Sequence, residues 1–263
     1  MARYCPLFSG SKGNCTFVGT ADSGILVDAG VSAKRIKDAL SARDIALQSL
    51  QGVCITHEHS DHIAGLRVLI KQLGLTVYAS AGTLSALIDM QVITSGCNIV
   101  PLDTDGVTVG DFYITPFHTP HDARESMGYC IETPDERRVG IATDMGYMRP
   151  EVENILSQCD LVHIESNYDV GMLRSGFYPL VLQDRIASDR GHLSNSECAA
   201  TVARLALQDV TRFTLAHVSE NNNTPILAQR ASTTALAQAG FAVGDDCFLH
   251  VASPVGQSAP IIF

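Results

Sequence analysis

No stretch of this 263-residue chain comes near the ~20 consecutive apolar residues that a membrane-crossing helix requires. The opening Met1-Ala2-Arg3-Tyr4-Cys5-Pro6 passes directly into mixed polar sequence, so no signal peptide is expected. Cys-x-x-Cys pairs are absent. The eight cysteines are scattered, and some, such as Cys54 within Gly52-Val53-Cys54-Ile55-Thr56, lie in apolar, strand-like runs. That usage predicts reduced, buried thiols and a cytoplasmic setting rather than a disulfide framework. A basic excess is missing too. The formal net charge of −10 argues against a broad DNA-coating surface. Bound cations and a few arginines can still make one cleft positive, so any contact with nucleic acid should be narrow. Repeats, low-complexity segments and linkers rich in Pro, Gly or Ser are also lacking, which leaves residues 1–263 as a single domain.

Short strands are expected at Tyr4–Phe8, Cys15–Val18, Gly24–Val27 and Val53–Thr56, with helices over Ser32–Arg43 and Ile63–Leu73. More strands follow at Thr76–Ala79, Asn98–Leu102, Val107–Val109, Phe112–Phe117, Gly128–Thr133 and Arg138–Thr143. Strands and helices then alternate: a helix near Pro150–Ser157, a strand at Asp160–Glu165, a helix near Leu180–Ala187. Ser194 followed by Glu197 reads as a capping box that opens a helix to Leu207. A strand at Arg212–Ala216 and a helix from Pro225 to Ala239 complete the pattern. Strands first, then alternation, suggests an α/β protein with two sheets packed face to face and helices outside.

The strongest chemical signal is Thr56-His57-Glu58-His59-Ser60-Asp61-His62, with three histidines and Asp61 as candidate ligands within six residues. In an extended segment His57 and His59 project to the same side and can reach one ion. Asp61 and His62, where the chain turns into a helix, can reach a second. Imidazole with carboxylate oxygen suits zinc, manganese or iron. Later strand ends offer further donors: His118 and His121 in Phe117-His118-Thr119-Pro120-His121-Asp122, Asp144 after Ile141-Ala142-Thr143, and His217 after Leu215-Ala216. Glu58 reads as a support for the histidines. His163 and His250 read as packed core residues.

With these residues in order, the chain resembles the metallo-β-lactamase superfamily, whose signature is His-x-His-x-Asp-His followed by a His, an Asp and a His. The resemblance spans Gly24-Ile25-Leu26-Val27-Asp28 to His217. It implies a four-layer αβ/βα sandwich and two divalent metal ions, zinc foremost, with manganese or iron as alternatives. The ligands it implies are His57, His59 and His121 for one ion, Asp61, His62 and His217 for the other, with Asp144 between them. His121 is preferred to His118 because the histidine in the matching branch precedes an Asp. That branch is the nuclease-like YycJ/WalJ group. It is similar in Ser9-Gly10-Ser11-Lys12-Gly13-Asn14, Glu165-Ser166-Asn167-Tyr168-Asp169, Met172-Leu173-Arg174-Ser175-Gly176, Gly191-His192-Leu193-Ser194-Asn195 and His217-Val218-Ser219-Glu220-Asn221-Asn222. Tyr168 departs from the branch, whose members often carry His there.

The resemblance implies a hydrolase that cleaves phosphodiesters, acting as a 5′→3′ exonuclease on DNA ends or on a small phosphodiester. Water held between two ions loses its proton near neutral pH and can attack phosphorus. Asp61, Asp144 and His192 are then the catalytic residues, His192 donating to the phosphate or leaving oxygen as in RNase Z-type enzymes. Ser11, Asn14, Asn167, Arg174 and His192 are expected to touch substrate, the Ser9–Asn14 loop through its backbone N–H groups, with Arg185 and Arg190 guiding the phosphates. A glyoxalase-II-type thioesterase is the main rival. A β-lactamase is disfavoured by Asp144, where thiolate-using members place Cys, and a β-CASP nuclease by the short stretch between Asp144 and His217.

Overall fold

The short apolar runs that open the sequence become one mixed sheet. The computed structural model describes residues 1–254 and 258–263, and the chain divides into two units. The first comprises Met1–His118, Ala123–Arg137 and Ser253–Phe263. It contains β1 (Arg3–Phe8), β2 (Cys15–Gly19), β3 (Gly24–Val27), α1 (Ala33–Ser41), β4 (Leu50–Cys54), α2 (Ser60–Ile63), α3 (Leu66–Leu73), β5 (Val77–Ser80), α4 (Ala81–Asp89) and β6 (Ile99–Leu102). The C-terminal strand Ile261–Ile262 lies beside β1, followed in order by β2 to β6. Strands β1 to β3 pair antiparallel and β3 to β6 parallel. Parallel strands are covered on both faces, which is why β3 and most of β4 are continuously buried. An antiparallel meander of β7 (Val107–Val109), β8 (Phe112–His118) and β9 (Met127–Glu132) belongs to the same unit.

Local chemistry sets the helix limits. Ser32 caps α1 by accepting from Arg35 N, and the helix buries Ile36, Ala39 and Leu40, as its spacing predicts. The helix expected over Ile63–Leu73 is interrupted at Gly65. A Cβ there would meet Val31 O at 2.0 Å, and the Gly65 amide donates to Ala29 O. α4 was not anticipated: small and apolar residues dilute its periodicity, and its clearest mark is the Ser80 cap, which accepts from Thr83 N.

The second unit comprises Thr119–Asp122 and Arg138–Ala252. Its elements are β10 (Arg138–Ala142), α5 (Pro150–Leu156), β11 (Leu161–Glu165), α6 (Val170–Ser175), α7 (Leu180–Ile186), α8 (Asn195–Ala206), β12 (Arg212–Ala216), α9 (Pro225–Gln238) and β13 (Phe248–Val251). The four strands run parallel in chain order. Ser194 Oγ accepts from Glu197 N at 3.2 Å, and α8 buries Cys198, Val202 and Leu205. The short α6 and β13 were not anticipated.

Register decides what the strand ends present. In the first unit Val27 pairs with Cys54, which brings Asp28 beside the residues that follow β4. In the second, Ala142 pairs with Ile164 and Glu165 with Ala216, so β10, β11 and β12 finish together. Ligands in parallel α/β sheets bind at such carboxyl ends. Asp28, Asp144 and His217, each just beyond a strand, take φ of 64°, 57° and 51°. Asp and His enter this left-handed region more readily than most residues, at about 1–2 kcal/mol each.

All eight cysteines are free, and all but Cys97 are buried. Burial pushes the Cys5 thiol up to about 11, against the opposing effect of Arg43. Among the described residues no helix is long and apolar enough to cross a membrane. Alkylation of denatured protein without reductant, followed by mass spectrometry, should modify every cysteine, whereas the native protein should label fastest at Cys97. A fixed disulfide pattern would contradict the structure.

Candidate metal centre

In the first unit the donors gather at the end of β4. Thr56 has left the strand: its amide donates to Asp28 Oδ1 at 2.9 Å instead of to a neighbouring strand. That explains why β4 stops short of the expected Thr56. His57 is buried, His59 is half-buried ahead of α2, and Asp61 and His62 lie in the first turn of α2. The ring centroids of His57 and His59 are 4.6 Å apart, and those of His57 and His62 are 4.2 Å apart. His62 Nε2 lies 3.5 Å from Asp61 Oδ2. Two tetrahedral ligands at ordinary zinc bond lengths are about 3.4 Å apart, so this pair suits one ion.

Asp28 fixes the rings. Its buried carboxylate accepts from His62 Nδ1 at 2.8 Å and from Thr56 Oγ1 at 3.0 Å. With its proton committed to Asp28, the Thr56 hydroxyl accepts from His57 Nδ1, 3.0 Å away. Both histidines therefore carry their proton on Nδ1 and leave Nε2 unprotonated. The loop bearing Asp61 rests on Gly30, where a Cβ would fall 1.6 Å from Asp61 O.

In the second unit Asp144, Glu165, His192 and His217 each place a ligand atom within 4.8 Å of the others. Glu165, which stands in the sequence as one more residue at the end of an apolar strand, organises this group. Fully buried, it accepts from His192 Nδ1 and His217 Nδ1, both at 2.8 Å through Oε1, and from Met145 N and Leu193 N, both at 3.1 Å through Oε2. Burial alone would raise its pKa, but the two histidines outweigh that and hold it below the carboxylate range. His192 shows the complement: burial opposes its charge, yet Glu165 and Asp144 lift its pKa above the usual histidine value. His121 is buried and donates Nδ1–H to Gly191 O at 3.0 Å, whereas His118 is exposed at the end of β8. Burial lowers the His121 pKa, which favours the neutral ring.

The donor chemistry fits divalent cations. His57, His62, His121 and His217 each commit Nδ1–H to an oxygen, the arrangement that orients metal-binding imidazoles. His192 has the same support, but its side chain is 20% exposed against 3% for His217.

The expected substrate contacts fare differently. Asn14 is buried in its own loop, with Nδ2 3.1 Å from His62 Nε2 and 3.4 Å from Asp61 Oδ2, and Oδ1 accepting from Gly10 N. The amides of Gly10, Gly13 and Asn14 donate to Asn14 Oδ1, Gly10 O and Asp61 O. The loop thus braces the donor cluster and does not cradle phosphate through those amides; Ser11 is exposed at its tip. Asn167 is spent on His217 O at 2.9 Å. Arg174 pairs with Asp184 at 2.7 Å. Arg185 holds Asp122 at 2.6 Å and Arg190 holds His121 O, so both secure the His121 loop. Glu58 accepts from Arg124 N at 2.8 Å, which anchors that segment instead of a histidine. His163 is buried in β11. Asn195 and Asn223 join Ser166 and Asn167 in a buried amide network that explains why these motif segments belong together.

The Glu165–His192 pair sets a pH window for metal-free protein. The depressed Glu165 pKa contributes stability that is complete above the unfolded carboxylate value and is lost as pH falls. The raised His192 pKa contributes stability that is complete below the unfolded histidine value and is lost as pH rises. Chelator-treated protein should therefore gain most from the pair between roughly pH 5 and 6.5. Urea unfolding at several pH values should show that maximum, and Glu165→Gln should flatten it. An equal loss from this variant at every pH would contradict the pairing.

Residues 24–218 match the model of the Beta-lactamase superfamily domain. The chain is 34% identical to exodeoxyribonuclease YycJ of Bacillus anthracis, with 96% of each chain covered. It is 36% identical to exodeoxyribonuclease WalJ of Streptococcus pneumoniae, covering 96% of this chain and 94% of the relative. The crystal structure of the metallo-β-lactamase fold protein YhfI from Bacillus subtilis aligns with a TM-score of 0.70 at 19% identity, covering 96% of this chain and 97% of that one. With the fold class expected from its sequence, the chain belongs to the β-lactamase superfamily and has the metallo-β-lactamase fold.

Proposed function

We propose that residues 1–263 form one hydrolase domain, a metal-dependent phosphodiesterase that degrades DNA from an end in the cytoplasm. The observation that carries this reading is Glu165, whose single carboxylate holds both His217, a ligand by family resemblance, and the more exposed His192. Similarity to two exodeoxyribonucleases over almost their whole length supports DNA as the substrate. By the same resemblance His57, His59 and His121 would hold one ion, Asp61, His62 and His217 another, and Asp144 both. Seven donors exceed what one tetrahedral ion uses. Zinc suits them best, with manganese or iron as alternatives. Divalent ions there would lower the pKa of bound water and offset the charge on the phosphoryl oxygens.

The chain's own groups supply the rest. Asp28, through Thr56, and Glu165 keep the ring nitrogens unprotonated where a ligand is needed. Protonated His192, held by Glu165 at Nδ1, would donate Nε2–H to a phosphate oxygen or the departing oxygen. The net charge of −10 favours contact with only a few nucleotides, so binding should depend shallowly on salt.

Single-turnover assays with 5′- and 3′-labelled oligonucleotides, with metal content measured on the same samples, test this reading. His217→Ala should lose metal and cleavage together. His192→Ala should keep its metal and slow roughly 10²–10⁴-fold. Metal-loaded wild-type protein that leaves phosphodiesters intact while hydrolysing a thioester would overturn the nuclease assignment.

A further inference from the structure

A cleft of about 380 Å³ lies within the first unit, between α3 and the segment that leads into β6. Small-molecule sites begin near that size, at about 300 Å³. None of its lining residues is a proposed metal donor. The floor is continuous with the core: Ile70 and Leu75 are buried, and Val92 packs against the same cluster. The walls are fixed as well. Gly74 N donates to Ile70 O at 2.8 Å and closes α3, and Val77 N donates to Asn98 O at 2.9 Å, which ties the far wall to β5. In that wall Cys97 N donates to Thr94 O at 3.1 Å across a turn whose third residue, Gly96, takes φ of 95°. A turn position with positive φ favours glycine.

The fold does not explain the charge on the rim. Arg67 and Lys71 both line the cleft, exposed and four residues apart on α3. Neither makes a hydrogen bond or an ion pair among the described residues, and no acidic side chain among them lines the cleft. Acidic partners are plentiful elsewhere in the chain, which has 28 Asp and Glu against 18 Lys and Arg. Like charges at this helical spacing repel. Lys71, in the last turn, suits the helix dipole, but Arg67 stands in the first turn, where a cation is disfavoured. Helix stability therefore does not account for the pair. The Ser95 and Gly96 amides and the Ser95 hydroxyl also make no bond among the described residues, which leaves further donors on the turn. We propose that this cleft binds a small phosphomonoester, its phosphate between Arg67 and Lys71 and its organic part on Ile70, Leu75 and Val92. A phosphomonoester carries about 1.5–2 negative charges at neutral pH, which matches two cations better than a carboxylate does. The small, concave volume favours such a molecule over a nucleic-acid strand or a protein segment. The site goes beyond the phosphodiesterase reading and does not depend on it.

Cys97 lines the cleft and is the one cysteine that is not buried, so its alkylation in native protein reports occupancy. The test labels the full chain with iodoacetamide and follows the Cys97 peptide by mass spectrometry, with deoxyadenosine 5′-monophosphate or glucose 6-phosphate added. At least one ester should slow the labelling, and the two arms distinguish a nucleotide from a sugar phosphate as the source. Arg67→Gln combined with Lys71→Gln should raise the ester concentration needed for half-protection about 10- to 100-fold, at an unchanged melting temperature. Labelling that neither ester slows would overturn the site. So would slowing that deoxyadenosine without its phosphate reproduces, or protection retained in the double variant. Inorganic phosphate that protects as well as the esters would show that the apolar floor takes no part, and would overturn the assignment to an organic phosphate.

Discussion

One buried carboxylate in the second unit constrains everything around it. Burying an ionised carboxylate costs several kcal/mol unless donors surround it. Glu165 accepts two imidazole N–H groups and two backbone amides. Those four bonds join the segment after β10, the loop before α8 and the residue after β12. A change in any of these elements leaves part of the charge unsatisfied, so the strand ends must finish together, as their register shows. The left-handed backbone at Asp144 and His217 is a local strain that this network helps to offset.

Asp28 repeats the logic in the first unit. It follows an apolar strand, is buried, and is satisfied by an imidazole N–H together with a threonine amide and hydroxyl. In both units a parallel strand delivers a carboxylate to the carboxyl edge of a sheet, and that carboxylate fixes the tautomer of nearby histidines. Ligand geometry is thereby set by groups that need not bind metal. Asn14 serves the same end from the side, holding its loop closed against Asp61 and His62. In one dimension an exposed glycine loop and a tightly folded brace look alike, so the bonds that hold Asn14 in place are not legible in the sequence.

The legible part of the site was the part that is local. His57, His59, Asp61 and His62 crowd into one short segment, and no ordinary loop needs so many donors. Asp144 and His217 could be found as single ligand-type residues just past apolar strands. Glu165 has the same appearance, but its meaning lies in a partner 52 positions away, and that of Asp28 in one 34 positions away. Only parallel register makes such pairs, and periodicity does not report register. The same limit applies to the arginines: the partners of Arg185 and Arg190, Asp122 and His121 O, are remote in sequence. In the fold, strongly periodic elements such as α1 and α8 were legible to within a residue or two. Gly65 was not, because the break depends on how closely Val31 approaches it.

In the proposed function the charge of Glu165 would act twice, orienting His217 as a ligand and favouring a protonated His192. Replacing Glu165 with Gln preserves its shape but sets an amide group against N–H donors. The decisive measurement is metal content and the pH profile of phosphodiester cleavage on the same Glu165→Gln sample. Both should change, with metal retention weakened and the alkaline limb of the profile displaced to lower pH as His192 loses its anionic partner. A variant that keeps full metal content and the wild-type profile would contradict the claim.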